Sequence, residues 1–307
     1  MRLPMLALLL ACGASAPSPE RPTASNCPGE GLAVRVLGSG GPIVDDERAS
    51  AGYVVLLDGR PRLLVDAGGG VALRLAQAGV APRNLDGLLV SHTHVDHTAD
   101  LIALLKSASF ATRSAPMTVL GPSGDDAFPA IGSFLEAQLG EGGAWRYLGG
   151  YLRAEGRPFR LAVEEVDVTG APRTQSIGPL RVHSVGVPHG PVPALGFLVE
   201  AAGASIAFGG DQRLADARFA ELARGADLLI AHHAIPEDAE GVAANLHAKP
   251  SQIGAFASDG DIGHLVLSHH MARSLARLDE SLELIGARFG GEVTVAEDLD
   301  CFAARPR

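Results

Sequence analysis

The sequence predicts a sheet-rich fold of the α/β or α+β class, in one large domain or two small ones. Nearly half of the 307 residues are apolar, many are glycine and few are aromatic, which is typical of an enzyme with many tight turns. Short apolar runs that end at glycine or at polar residues recur along the chain and indicate buried strands. One of these runs is followed at once by three histidines and an aspartate, so the sequence also predicts a polar cluster at a strand end.

Residues 1–29 are expected to precede the folded domain, which would comprise residues 30–307. Arg2, the apolar run 3–11 and Cys12 have the pattern of an export signal that is too short to span a membrane. Residues 9–12 resemble a bacterial lipobox, in which Cys12 would carry a lipid, and residues 13–29 have the composition of a tether. We therefore expect an exported protein of the bacterial periplasm or cell envelope, anchored through Cys12, with plain secretion and a cytosolic protein as alternatives.

Two further cysteines, Cys27 and Cys301, remain once Cys12 is set aside. In an oxidising compartment they could form a disulfide that ties the start of the mature chain to its last strand. The alternative, that both cysteines are free thiols, is equally compatible with the sequence.

The strands and helices follow from apolar runs bounded by Gly, Pro or Asp. Strands are predicted at residues 32–37, 53–57, 62–65, 85–90, 117–120, 161–168, 180–187, 205–208, 226–230 and 265–267. Helices are predicted at residues 71–78, at 98–107 and from residue 250 onward. Residues 123–160 have a mixed helical pattern and are expected to cover the cleft.

Three positions near these elements have specific interpretations. The glycine-rich turn at residues 38–42 lacks the Lys-Ser or Lys-Thr of a phosphate-binding loop. Asp66 either caps the helix at residues 71–78 or accepts a hydrogen bond from a metal-bound imidazole. His183 has no motif around it, and we interpret it as structural.

The polar cluster at residues 91–97 predicts a metal site. It contains His92, His94, Asp96 and His97, and imidazole and carboxylate groups are ligands for zinc. So many of them converge on one tight loop only if a divalent cation offsets their crowding and desolvation; a solvated histidine-rich loop is the alternative. The spacing H-x-H-x-D-H resembles the signature of the metallo-β-lactamase superfamily, which implies an α+β four-layer αββα sandwich.

Three later stretches extend this resemblance toward ribonuclease Z and phosphodiesterases. His189, followed by Pro193 and Gly196-Phe197, is similar to one motif of that branch, and Asp211 lies in a Gly-Asp-Gln-Arg turn similar to another. His269 follows Ser268 at the last ligand position and is preferred to His270. By this resemblance one metal is held by His92, His94 and His189, the other by Asp96, His97 and His269, and Asp211 bridges both.

The resemblance implies two Zn²⁺ ions, since all ligands are nitrogen or oxygen, with Mn²⁺ or Fe as alternatives. A hydroxide that bridges the two metals would attack a phosphodiester or a related ester such as a sulfate. Asp96 would orient or deprotonate this nucleophile. His247, in a stretch similar to one whose histidine contacts the scissile phosphate, would stabilise an oxyanion or protonate the leaving group.

Alternative functions are a lactonase or β-lactamase-type hydrolase, and a non-hydrolytic iron, redox or metal-binding protein. No G-x-S-x-G motif competes for the role of nucleophile. His232 and His233 lie where ribonuclease Z-like enzymes have His-Glu-Ala, and neither is assigned a role.

The partner predicted from the sequence is a small-molecule ester. The formal net charge of −10 and the export signal argue against a nucleic-acid substrate. Contact with a membrane is expected only through the lipid anchor. The oligomeric state stays open, with a dimer as one option.

Overall fold

The computed structural model describes residues 26–110, 113, 115–153, 155–157 and 159–307. Within these residues the strands are β1 (Leu32–Gly38), β2 (Gly52–Leu57), β3 (Arg60–Val65), β4 (Gly87–Leu89), β5 (Met117–Pro122), β6 (Leu161–Val166), β7 (Arg173–Ile177), β8 (Leu180–His189), β9 (Val192–Ala201), β10 (Ala204–Phe208), β11 (Leu228–His232), β12 (His264–Ser268), β13 (Glu292–Val295) and β14 (Cys301–Ala303). The α-helices are α1 (Val71–Gln77), α2 (Val95–Thr98), α3 (Leu101–Ala108), α4 (Ile131–Leu139), α5 (Gly150–Arg153), α6 (Ala217–Ala223), α7 (Gly241–Leu246), α8 (Pro250–Asp259), α9 (Ala272–Leu275) and α10 (Leu278–Gly286), with 3₁₀ turns at Pro82–Asn84 and Arg146–Leu148.

The described strands form two seven-stranded mixed sheets. The first has the order β14-β1-β2-β3-β4-β5-β6, and the second has the order β13-β12-β11-β10-β9-β8-β7. In each sheet an antiparallel half leads into parallel strands, from β3 to β6 in the first and from β10 to β13 in the second. The parallel strands need crossover connections, and these place helices on the outer faces.

Alternate residues of the central strands serve two hydrophobic layers, which explains why the strands are almost continuously apolar. In β2, Tyr53 and Val55 pack between the two sheets, whereas Val54 packs against the outer helices. In β10, Ile206 points to the layer between the sheets and Ala207 to the outer layer. The sandwich core therefore has sheets inside and helices outside.

Helices cover both outer faces. Residues of α1, α3 and α4 join the buried cluster on the first sheet, and residues of α6, α8 and α10 join the cluster on the second. This arrangement confirms the predicted α+β class and the four-layer αββα sandwich.

The predicted cover over the cleft is wrong for α4 and α5. Leu135 and Leu139 of α4 and Tyr151 of α5 are fully buried against the outer face of the first sheet. The Tyr151 hydroxyl donates to the Leu105 carbonyl of α3 at 2.8 Å. The helical pattern at residues 123–160 thus corresponds to helices that pack on the outer face of the first sheet, not to a lid over the cleft.

A disulfide joins Cys27 to Cys301 at the start of β14, with 5.3 Å between the two Cα atoms. It ties the beginning of the described chain to the edge strand beside β1. The predicted export signal and the Cys12 anchor lie outside the described residues, and the boundary at residue 30 stays a prediction. No helix in the described part of the chain is long and apolar enough to cross a membrane.

Candidate metal centre

The candidate ligands follow the carboxyl ends of strands from both sheets. The loop after β4 in the first sheet carries the cluster at residues 92–97. In the second sheet, His189 is the last residue of β8, Asp211 follows β10 and His269 follows β12. A backbone hydrogen bond of 2.8 Å from the Leu195 amide in β9 to the Ser91 carbonyl holds the two sheets together at this edge.

The side chains converge into two groups that share Asp211. Within each group the candidate ligand atoms all lie within 4.8 Å of one another. The first group is His92, His94, His189 and Asp211, and the second is Asp96, His97, Asp211 and His269. The structure thus brings together all seven residues that the sequence singled out as ligands, although their role as ligands stays a prediction.

The separations between the Asp211 carboxylate and three facing imidazoles are longer than ordinary hydrogen bonds and suit atoms that share a cation. The carboxylate of Asp211 lies 3.6 Å from His189 Nε2, 3.7 Å from His97 Nε2 and 3.4 Å from His269 Nε2. With bonds of about 2.0–2.1 Å, two ligands of a tetrahedral zinc are separated by roughly 3.3 Å. The nitrogen and oxygen atoms therefore already have nearly the spacing that a bound cation requires.

Three buried imidazole nitrogens in these groups have no hydrogen-bond partner: His269 Nδ1 and two that face the shared carboxylate. The two that face Asp211 are His97 Nε2 and His189 Nε2. Buried polar atoms almost always have a partner, and a cation would provide one for each of these two nitrogens. The residues present therefore fit divalent metal ions.

The pKa shifts show that the cluster requires positive charge. Burial alone would raise the pKa of Asp211, but the facing imidazoles, His269 foremost, hold it well below its usual range. Burial would likewise lower the pKa of His97, but Asp66 and Asp211 raise it well above the ordinary value. Without metal, protons on the imidazoles balance the carboxylates, and bound cations would replace those protons.

Asp66 orients one of the candidate ligands. Its Oδ2 lies 2.7 Å from His97 Nδ1 and accepts from Ser91 Oγ at 2.8 Å, while its Oδ1 accepts from the Ser91 amide at 2.7 Å. The N-cap of α1 is Gly70, so Asp66 does not cap that helix. Of the two interpretations of Asp66, the contacts support the acceptor that fixes an imidazole.

His232, to which the sequence assigned no role, lies at the centre. Its Nδ1 donates to Asp211 Oδ1 at 2.6 Å, and the Tyr53 hydroxyl lies 3.3 Å from its Nε2. Burial, with the nearby charge of His269, lowers the pKa of His232 to about 4, so the imidazole is neutral at pH 7. The feature that could have indicated a role for His232 is its position as the last residue of β11, at the same sheet edge as the candidate ligands.

His233 and His270 form a separate buried pair. Their Nδ1 atoms lie 3.3 Å apart, and neither belongs to the two ligand groups. Of the two adjacent histidines after β12, the structure therefore places His269 at the centre and His270 behind it. His183 lies elsewhere, on the outer sheet surface, between Thr174 and Glu200.

The glycine-rich turn contacts the centre from one side. A Cβ atom on Gly41 would lie 3.0 Å from His269 Cε1, so a larger residue would push this imidazole. His269 itself has a φ of 55°, in the left-handed region that non-glycine residues rarely adopt. Such strain persists where the surrounding structure fixes it, and it is common at functional sites.

His247 lies beside the two groups, on the turn between α7 and α8. Its Nδ1 is 3.8 Å from Asp211 Oδ1, and the side chain is almost buried. Burial lowers the pKa of His247 to about 4, so the imidazole is neutral at pH 7. A neutral imidazole keeps one N–H group that can donate to a bound substrate.

Comparison with known proteins places this centre in a family. A family model described as a beta-lactamase superfamily domain matches residues 61–270. Ribonuclease Z from Mycobacterium bovis is 30% identical over 291 residues, which cover 90% of this chain and 99% of the relative. Ribonuclease Z from Mycolicibacterium paratuberculosis is 31% identical over 283 residues, which cover 87% and 96%.

Solved structures agree on the fold. The metallo-beta-lactamase fold protein YhfI from Bacillus subtilis has a TM-score of 0.70 at 21% identity, covering 89% of this chain and 100% of its own. The short form of human tRNase Z has a TM-score of 0.68 at 22% identity, covering 89% and 99%.

These relatives contradict one prediction. The prediction of a small-molecule ester partner, with nucleic acid as an unlikely substrate, is wrong, because the curated relatives that span the chain are named Ribonuclease Z. A net charge averages over the whole surface and does not report the charge of the cleft, and the predicted export signal lies outside the described residues. The prediction of a metal-dependent hydrolase acting on ester bonds is confirmed, and the His/Asp cluster indicates divalent metal ions, whereas zinc stays a prediction. The chain belongs to the β-lactamase superfamily, in its ribonuclease Z-like branch.

Proposed function

We propose that this protein hydrolyses phosphodiester bonds in RNA at a binuclear zinc centre. The observation that supports this most directly is the pair of ligand groups that share the Asp211 carboxylate. The names of the ribonuclease Z relatives support RNA as the substrate.

The donor set suits zinc. The first ion would be held by His92, His94 and His189, the second by Asp96, His97 and His269, and both by Asp211. All donors are imidazole nitrogens or carboxylate oxygens, and no cysteine takes part. Manganese and iron also accept such donors, so metal analysis of the purified protein decides between them.

When bound, two adjacent cations would ionise a water at neutral pH and neutralise charge on the attacked phosphate. Asp96 would orient that water. Burial raises the pKa of Asp96, but the hydrogen bond from His269 and the charge of His97 outweigh it and lower the pKa to about 2. The ionised carboxylate would therefore be able to accept a hydrogen bond from the attacking water throughout the neutral range.

His247, beside Asp211, would also act on the phosphate. Its neutral N–H would donate to a phosphate oxygen or to the leaving oxygen as negative charge develops there. His232, which is hydrogen-bonded to Asp211 Oδ1, would hold the bridging carboxylate in place.

The test is a substrate panel on metal-counted protein. The panel contains an RNA oligonucleotide, bis-p-nitrophenyl phosphate, a phosphomonoester, a sulfate ester, a lactone and a β-lactam. We expect two zinc ions per chain, cleavage of both phosphodiesters, and loss of metal and activity together in Asp211→Asn.

The matched control is Asp216→Asn. Asp216 caps α6 by accepting from the Arg218 and Phe219 amides, and asparagine caps helices equally well. This variant should therefore keep its metal and its activity. Hydrolysis of the β-lactam, the lactone or the sulfate without cleavage of either phosphodiester would contradict the proposal, and so would bound iron with oxygen uptake.

We also propose that the protein is exported to an oxidising compartment of a bacterial cell. The Cys27–Cys301 disulfide supports this, because such bonds persist outside the reducing cytosol. Cell fractionation tests it. The lipid anchor at Cys12 and the oligomeric state stay predictions.

A further inference from the structure

The candidate metal centre is accessible to solvent on the side where His94 lies. Among the described residues of the two ligand groups, His94 alone is partly exposed, whereas the other ligands are buried. A polymer substrate must reach the cations from the exposed side. The residues next to His94 therefore border the entrance.

An aromatic ring lies next to His94 at this entrance. The ring of Phe128 is 6.2 Å from the His94 ring, centroid to centroid, and the two planes meet at 65°. Phe128 lies on the loop between the carboxyl end of β5 and α4. The loop is thus on the same sheet edge as the ligands.

The backbone around Phe128 is held by a tight turn. Asp125 Oδ1 accepts from the Ala127 amide at 2.8 Å and from the Phe128 amide at 2.7 Å. The Asp125 amide in turn donates to the Phe128 carbonyl at 2.9 Å. These three bonds fix the position from which the ring projects.

Packing in a hydrophobic core does not explain the position of the Phe128 ring. Phe128 is partly exposed and belongs to none of the four hydrophobic clusters of the described residues. Phe134, six residues later, does pack on the first-sheet cluster. A fixed, partly exposed aromatic side chain beside a catalytic centre can offer a face to a planar group of the substrate.

We propose that Phe128 stacks on the base of a nucleotide that flanks the scissile phosphate. This inference rests on the proposed RNA substrate. Stacking is tolerant of sequence, because every base has a π-face. The Asp125 carboxylate accepts hydrogen bonds within the turn, and Asp126 is exposed. Neither of these acidic side chains can neutralise a phosphate, so this part of the entrance would contribute stacking instead.

The test compares matched RNA oligonucleotides that have either a base or an abasic sugar on each side of the cleaved bond. The readout is the kcat/KM for the oligonucleotide with the base divided by the kcat/KM for its abasic counterpart. A general loss of activity does not affect this ratio. We expect the zinc-loaded wild type to favour the base on one side by roughly 5- to 150-fold. Phe128→Leu should bring this ratio close to one, and Phe128→Tyr should retain it.

The control variant is Phe110→Leu. Phe110 is another exposed phenylalanine, but its ring contacts Lys106 at the end of α3 instead of a ligand histidine. This variant should keep the wild-type ratio. Equilibrium binding of the same oligonucleotides with a non-cleavable linkage provides a second readout, with the same expected order.

A wild-type ratio in Phe128→Leu would overturn the proposal. An equal loss on both oligonucleotides would also overturn it, because the ring would then only support His94. Failure of the proposed function looks different: no form of the protein would cleave either oligonucleotide. In that case the binding measurement alone would test the stacking proposal. Tighter binding of the oligonucleotide with the base, abolished in Phe128→Leu, would support the proposal. Equal binding of both oligonucleotides by the wild type would refute it.

Discussion

Replacing Asp66 by asparagine should weaken metal binding although Asp66 is not a ligand. The carboxylate accepts from both donors of Ser91 and lies 2.7 Å from His97 Nδ1. If the asparagine oxygen keeps the bond to the Ser91 amide, its NH₂ group faces His97 Nδ1. Nδ1 must then accept, so the proton moves to Nε2, the atom that would bind the cation.

The expected loss follows from this change of tautomer. Removing such an orienting partner costs roughly 10- to 100-fold in metal affinity, which is about 1.4–2.7 kcal/mol. The ion held by Asp96, His97 and His269 should be affected more strongly than the other ion. Asp66 contacts His97 directly, whereas it reaches His92 of the other group only through the Ser91 hydroxyl. The metal content remaining after titration with a competing chelator measures the effect for each ion.

Asp100→Asn is the matched control for Asp66→Asn. The Asp100 carboxylate also accepts a partly buried backbone hydrogen bond, from the Ala72 amide at 2.8 Å, but no hydrogen bond or ion pair joins it to a candidate ligand in the described part of the chain. This variant should bind both ions with wild-type affinity. Retention of both ions by Asp66→Asn under the same chelator titration would refute the orienting role.

Three further predictions concern the ligands, the proton donor and the disulfide. His94→Ala should lose metal and phosphodiesterase activity together, and full activity at wild-type metal content would contradict its assignment as a ligand. His247→Ala should keep both ions, measured by metal analysis, but lose roughly 10²–10⁴-fold in kcat; an unchanged kcat would remove His247 from the mechanism. The double variant Cys27→Ser/Cys301→Ser opens a closed loop with a sequence separation of 274 residues, and chain entropy gives an upper estimate of about 5 kcal/mol for the stability lost. Thermal denaturation should show a lower Tm, and an unchanged Tm would show that the disulfide does not stabilise the fold.

The ligand set was accessible to sequence reasoning because each ligand directly follows an apolar run. The cluster at residues 92–97 is local, and its spacing is visible without a fold. His189, Asp211 and His269 are far apart in the chain, but each lies at or just after the end of a strand, and these strand ends meet at one edge of the sandwich. The resemblance supplied the pairing of ligands into two groups.

His232 was missed because its contact depends on strand pairing. It meets Asp211 because β10 and β11 run parallel in a register that places Phe208 opposite Ile230. No local pattern reports that register, and the neighbouring His233 offered an equal alternative. The two histidines are adjacent, and only the tertiary arrangement distinguishes them: His232 contacts Asp211, whereas His233 pairs with His270.

The segment at residues 123–160 shows a second limit. Its helical periodicity indicates that one face is buried, but not which surface buries it. The structure packs α4 and α5 on the first sheet, and only the loop with Phe128 reaches the entrance. Amphipathicity therefore predicted the helices and not their partner.

The shared Asp211 has a consequence for the lifetime of the folded protein. His97 comes from the first sheet, whereas Asp211 and His269 come from the second, so each proposed ion would contact both halves of the molecule. In an ion-free molecule protons on the imidazoles balance the carboxylates, but the contacts that a cation would make between the two halves are missing. Scarcity of metal should therefore lower the stability of the folded protein as well as its activity, and so shorten its lifetime.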